Sequence, residues 1–120
     1  MSESTESKNP RTFQATATAI GAYKLVQLDA NEQVSVQTGT TTTTMIGATK
    51  QAVVASGYGS IELLNAGGSF FVTLTETATV NDALYPKGDG FAGVTVVAGM
   101  QAGIALQNGV AGDVVEALKV

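Results

Sequence analysis

At 120 residues the chain has room for a single hydrophobic core. Charged residues make up 13% of it, about half the usual share, and Cys, His and Trp are absent. Those absences exclude a disulfide framework, thiolate and imidazole metal sites, a Cys nucleophile and a Ser-His-Asp triad. An enzyme is therefore not expected, and no cofactor is expected.

Ten acidic residues against six basic ones give a net charge of −4. That sign repels phosphate backbones, so nucleic acid is not an expected partner. No apolar run approaches the length of a membrane span, and no membrane partner is expected. The segment Met1-Ser-Glu-Ser-Thr-Glu-Ser-Lys8 lacks the basic start and apolar stretch of a signal peptide, so synthesis in the cytoplasm is expected. A Thr- and Gly-rich chain with so few charges points to a surface covered largely by other protein.

Residues 1 to about 11 are polar after Met1 and cannot offset the entropy of ordering, which predicts disorder in the free protein. From Thr12 to Ile20, Phe13, Ala15, Ala17 and Ala19 alternate with Gln14, Thr16 and Thr18. That period of two is strand-compatible, but the side chains are too small to hold a strand without a partner. The reading is a flexible N-terminal arm over 1–20 and a β domain over 21–120.

Turn signals then arrive every 8 to 12 residues, as all-β domains require. Strands are predicted at Tyr23–Leu28, Val34–Gln37, Met45–Thr49, Ser60–Leu64 and Phe70–Thr75. Further strands are predicted at Val94–Val97, Gln101–Gln107 and Asp113–Val120. The Thr40–Thr44 run reads as a loop or an edge, Lys50–Ala55 is of no clear type, and Thr79–Tyr85 reads as a helical turn or an irregular strand ended by Pro86. No segment holds a helical apolar stripe. The fold class is all-β: a small β-barrel or β-tulip-like domain with an extended N-terminal arm.

A faint internal repeat accompanies this. Ile46-Gly-Ala-Thr-Lys-Gln51 resembles Ala102-Gly-Ile-Ala-Leu-Gln107, and each precedes a turn and a similar strand, Ile61–Leu64 or Val115–Leu118. Tyr23 with Asp29 and Tyr85 with Asp89 precede the two copies. A duplicated unit closing on itself gives a pseudo-symmetric barrel without free edges. Chance similarity among Gly/Ala/Val-rich strands is the alternative.

No catalytic constellation emerges. Gly88-Asp-Gly-Phe-Ala-Gly93 has the spacing of a dinucleotide fingerprint, but a strand follows it where the fingerprint needs a helix, so it reads as a hairpin turn. Asp29-Ala-Asn31 starts like a calcium loop, yet Val34 and Thr40 stand where Gly and Glu belong, leaving a locally satisfied turn. Glu62 and Glu116 would form a carboxylate pair if the repeats were symmetric; strand alternation more simply puts both on the solvated face. The arm is different. A segment with strand polarity and no anchor of its own can add to another chain's sheet edge.

Several segments together resemble the capsid cement (head decoration) proteins of tailed bacteriophages. They are Ala22–Ala30, Ile46–Gln51, Leu64-Asn-Ala-Gly-Gly68, Asp82-Ala-Leu-Tyr-Pro86, Gly103–Leu106 and Gly112-Asp-Val-Val-Glu116, and the resemblance runs from about Ala15 to the C-terminus. It implies a virion protein on the outer surface of the expanded icosahedral shell, trimeric at three-fold positions, that stabilises the shell. The implied partner is the major capsid protein. The arm Thr12, Phe13, Gln14, Ala15, Thr16, Ala17, Thr18, Ala19 and Ile20 is the expected capsid-binding segment. The alternatives are another phage structural component, of tail or fibre, and a small ligand- or glycan-binding β domain.

Overall fold

The computed structural model describes residues 11–38, 44–64, 67–97 and 100–119, and every regular element among them is a strand. The first half supplies β1 (Arg11–Ala15), β2 (Leu25–Leu28), β3 (Gln33–Val36), β4 (Thr44–Thr49) and β5 (Tyr58–Leu63). They form a closed barrel in the order β1-β3-β2-β4-β5. β1 closes it, pairing antiparallel with β5 (Phe13 opposite Gly59) and parallel with β3 (Ala15 opposite Val34). Alternation puts Phe13 and Ala15 inside with Ile20, Val26, Val34, Val53 and Ile61. Each large aliphatic side chain buried there contributes about 1.5–3 kcal/mol.

The second half supplies β6 (Ser69–Thr73), β7 (Ala83–Pro86), β8 (Ala92–Gly93), β9 (Gly103–Ala105) and β10 (Val114–Lys119) in the order β6-β10-β9-β7-β8. Its edges meet through one parallel bridge, Leu74 to Ala92. Phe70, Val72, Leu74, Leu84, Val115 and Ala117 fill it, and Leu25 and Ala48 join this core from the outer side of the first barrel. The two halves thus share one apolar seam. The Lys119 ammonium on β10 crosses that seam to the Glu62 carboxylate on β5, 2.9 Å away.

The halves are copies of one unit. Strand order and pairing sense coincide when β1 to β5 are laid on β6 to β10. Details coincide too. The bridge Ile20–Val53 has its counterpart in Ala78–Gly109, and the bond from Gly57 N–H to Val54 C=O in that from Asp113 N–H to Val110 C=O. Positive φ recurs at Tyr23 and Asn81, Glu32 and Gly90, and Ser56 and Gly112. Gly47 and Gly103 are equivalent for one steric reason: a Cβ would lie 2.3 Å from the Glu62 carbonyl oxygen or 2.6 Å from that of Leu118.

Several expectations change. Duplication does not produce one pseudo-symmetric barrel, because each copy forms a sheet of its own. The repeat pairing Ile46–Gln51 with Ala102–Gln107 is in register, but Ile61 corresponds to Ala117 rather than Val115. Tyr23 corresponds to Asn81, not Tyr85, as their shared position before Thr49 and Ala105 shows. The strand predicted at Tyr23 starts only at Leu25, since Tyr23 has a φ of 57°. Thr79–Tyr85 resolves into a turn closed by the Asp82 carboxylate, which accepts from the Thr79 N–H and hydroxyl, and then β7. Of the Thr run, residues 40–43 lie outside the described residues, and Thr44 opens β4.

The strand predicted at Val94–Val97 is absent; β8 ends at Gly93. Glu76 explains the early end, because its carboxylate accepts from the N–H groups of Val94 and Thr95 and from the Thr95 hydroxyl. The Thr95 hydroxyl foremost, then the backbone donors, hold the Glu76 carboxyl below its ordinary value of 4.5. A carboxyl lowered on folding stabilises above its unfolded value and loses that contribution as pH falls through the folded one. Below about pH 4.5 the melting temperature of the wild type is therefore expected to fall more steeply than that of Glu76→Gln. Parallel falls would contradict this assignment.

Candidate functional site

The nine residues expected to form a free capsid-binding arm do not form a free arm. Phe13, Ala15 and Ile20 are core residues of the first barrel. Thr12 faces out, and Gln14 is held at the surface by its bond to the Ser56 carbonyl. The partner that the small side chains lacked is β5, supplied by the same chain more than forty residues later. The 20/21 boundary thus falls inside the barrel, while residues 1–10 lie outside the described residues.

Thr16, Ala17, Thr18 and Ala19 have a different setting. They form a surface loop at one end of the barrel, with Ala17 to Ala19 exposed. The Ser56 N–H donates to the Thr16 carbonyl, so the turn Val54-Ala-Ser-Gly57 lies beside this loop. Positive φ at the third turn residue, Ser56, matches a type II turn. Val54 at its start is 71% exposed. The second half repeats the arrangement with Val110-Ala-Gly-Asp113, where Gly112 carries the positive φ and Val110 is 57% exposed. The Asp113 carboxylate accepts from the Val110 N–H and rigidifies this second tip.

Sequence reading missed Val54, Ala55, Val110 and Ala111. The signal was present: carrying the Ile46–Gln51 and Ala102–Gln107 match four residues further reaches Val-Ala in both copies.

A second apolar area lies on the outer face of β6 and β10. Phe71, Val114 and Leu118 are exposed there, and pairing places Phe71 opposite Glu116. Tyr23 meets the Phe71 ring edge-on at 6.2 Å between centroids. Beside it, a cleft of about 270 Å³ follows the seam between the halves, lined by Tyr23, Thr49, Lys50, Glu62, Ser69 and Phe71. Several of the polar groups at this seam are engaged with protein. Thr49 Oγ1 donates to the Gly21 carbonyl, Ser69 Oγ to Glu116, and Lys119 Nζ to Glu62.

The repeat does not relate the two glutamates singled out from sequence. Glu62 is the repeat counterpart of Leu118, and Glu116 that of Ser60, so the duplication does not make them a pair. Asp29 closes its own turn by accepting from the N–H groups of Asn31 and Gln33. Gly88 to Phe91 lie in the β7–β8 turn, with Gly88 and Gly90 at positive φ, and Ala92 and Gly93 are β8 itself. Among the described residues, no three acidic side chains gather as a metal-ligand group.

No protein-family model matches the chain, and no curated protein does. Among solved structures it is similar to the N base of the head fibre gp8.5 of bacteriophage phi29. The TM-score is 0.74 at 17% identity, over 92% of this chain and 94% of that one. This chain therefore has the fold of that head-fibre base over nearly its full length.

Proposed function

We propose that the chain is a structural virion protein of a tailed phage that binds the outer surface of the capsid and stabilises the expanded shell. The observation that carries this reading is the fold shared, almost end to end, with a base module of a phage head fibre. The resemblance to cement proteins supports it from the sequence side. So does the surface: few charges overall, an exposed apolar face on β6 and β10, and two exposed Val-Ala tips.

The role is binding rather than catalysis, and its mechanism is linkage. A protein that binds the expanded shell and not its precursor or dissociated subunits stabilises that shell by mass action. Repetition on a lattice adds avidity. The partner is the major capsid protein. The trimeric state follows from the cement-protein resemblance, and sedimentation equilibrium of the purified chain tests it. With β1 built into the barrel, Ala17 to Ala19 and Thr12 are the parts of the expected segment exposed for contact.

The head-fibre likeness favours one second reading, in which this domain is the capsid-attached base of a longer fibre. Quantitative mass spectrometry of separated heads and tails tests the shared claim. The chain is expected in the head fraction at a copy number set by the shell lattice. A few copies per head would favour the fibre base, and recovery with tails alone would overturn both.

A further inference from the structure

The two halves have diverged so far that few side chains survive in both. Where the pairing register fixes equivalence, the identical pairs are Thr16/Thr75, Val36/Val94, Gly47/Gly103, Gln51/Gln107, Val54/Val110 and Ala55/Ala111. The Gly pair is required sterically. The last three pairs lie together in one exposed loop, the β4–β5 connection of the first half and the β9–β10 connection of the second.

Folding does not demand Val-Ala there. A type II turn constrains its third residue, and that residue differs between the copies, Ser56 against Gly112. An exposed valine at the first position adds little stability. The core differs around the two loops: Phe13 stands where the second half has Val72, Ile61 where it has Ala117 and Val53 where it has Gly109. Val-Ala recurring at solvent-exposed positions, where neither core packing nor turn geometry asks for it, points to a contact outside the chain.

We infer that the Val54-Ala55 and Val110-Ala111 tips are two equivalent grips, and that one chain engages two neighbouring copies of the same shell subunit through matching apolar depressions. The inference rests on the capsid-binding reading and specifies its contact. The tips suit apolar sites, since each presents a valine methyl pair and an alanine on a rigid turn. A repeating shell is the kind of partner that offers one site twice. Two grips on one lattice make the second contact intramolecular, so losing either weakens binding and losing both costs far more.

The test is co-sedimentation of the full chain with expanded shells lacking it. Variants are Val54→Asp, Val110→Asp, the double variant, and Val96→Asp as a control at a 69% exposed valine outside both tips. Each single tip variant is expected to weaken binding by a similar factor, roughly tenfold or more. The double variant is expected to lose binding, and Val96→Asp to match wild type. Ala55→Glu with Ala111→Glu repeats the test should an aspartate variant melt below wild type. Binding by wild type that the double variant retains overturns the inference and leaves the capsid reading intact; so does dependence on one tip alone. A wild type that does not bind expanded shells removes the capsid reading, and the inference with it.

Discussion

Glu62→Gln is expected to lower stability by about 3 kcal/mol, one of the largest effects any single side chain here can have. Its partner Lys119 is only 1% exposed, with the ammonium 2.9 Å from the Glu62 carboxylate. Glutamine keeps the shape but leaves a positive charge buried at the seam without its counter-charge. Glu62 itself is 15% exposed and also lies 3.7 Å from Lys50, which is mostly in solvent. The reverse change is therefore milder. Lys119→Met leaves Glu62 with Lys50 and water, and is expected to stay within about 1 kcal/mol of wild type. Combining the two substitutions should recover most of the loss, because neither charge is then stranded. Denaturant unfolding of the three variants checks this. A Glu62→Gln protein as stable as wild type would mean that the amine finds water at the seam.

Gly90→Ala is expected to cost about 2–4 kcal/mol, from a left-handed backbone and an occupied space together. Gly90 has a φ of 77°, and a Cβ there would lie 2.8 Å from Lys24 Cβ and 2.9 Å from the Leu25 carbonyl oxygen. Neither neighbour can move freely. The Leu25 N–H donates to the Gly90 carbonyl, and the Gly90 N–H to the Gln37 carbonyl, so this turn is stitched to the first barrel. Gly112 supplies the comparison, with a φ of 95° and nothing within 4 Å of the place a Cβ would take. Gly112→Ala should show the backbone strain alone, about 1 kcal/mol. Equal melting temperatures for the two variants would show that the contact at Gly90 relaxes.

These two sites also mark what sequence could not supply. Glu62 and Lys119 are 57 positions apart, and the pairing of β1 with β5 that closes the first barrel also joins distant segments. All-β character was legible from turn spacing, and so was the register of Ile46–Gln51 on Ala102–Gln107. The strand that follows was matched two residues out of step. A two-residue slip keeps every side chain on its own face, so alternation carries no information against it. The alternation at Phe13 and Ala15 does mark a strand in need of a partner, whereas the same pattern from Thr16 to Ala19 is loop. That the partner is β5 of the same chain depends on barrel closure, which local pattern does not encode.

The missing strand at Val94 has a similar cause. Val94-Thr-Val-Val97 has the composition of a strand, but Glu76 takes the N–H groups of Val94 and Thr95 that a ladder would use. The exposed tips were legible in principle, through the repeat, because Val-Ala recurs at the same distance from the two matched glycines.

Capsid binding is tested most directly by titrating the purified chain onto expanded shells that lack it, with procapsids alongside, and following bound copies and shell melting together. Saturation at a lattice-matched copy number, a raised melting temperature of the shell and little binding to procapsids are the predicted results. Absence of binding to the expanded shell, or binding that leaves its melting unchanged, would contradict a stabilising role on the head.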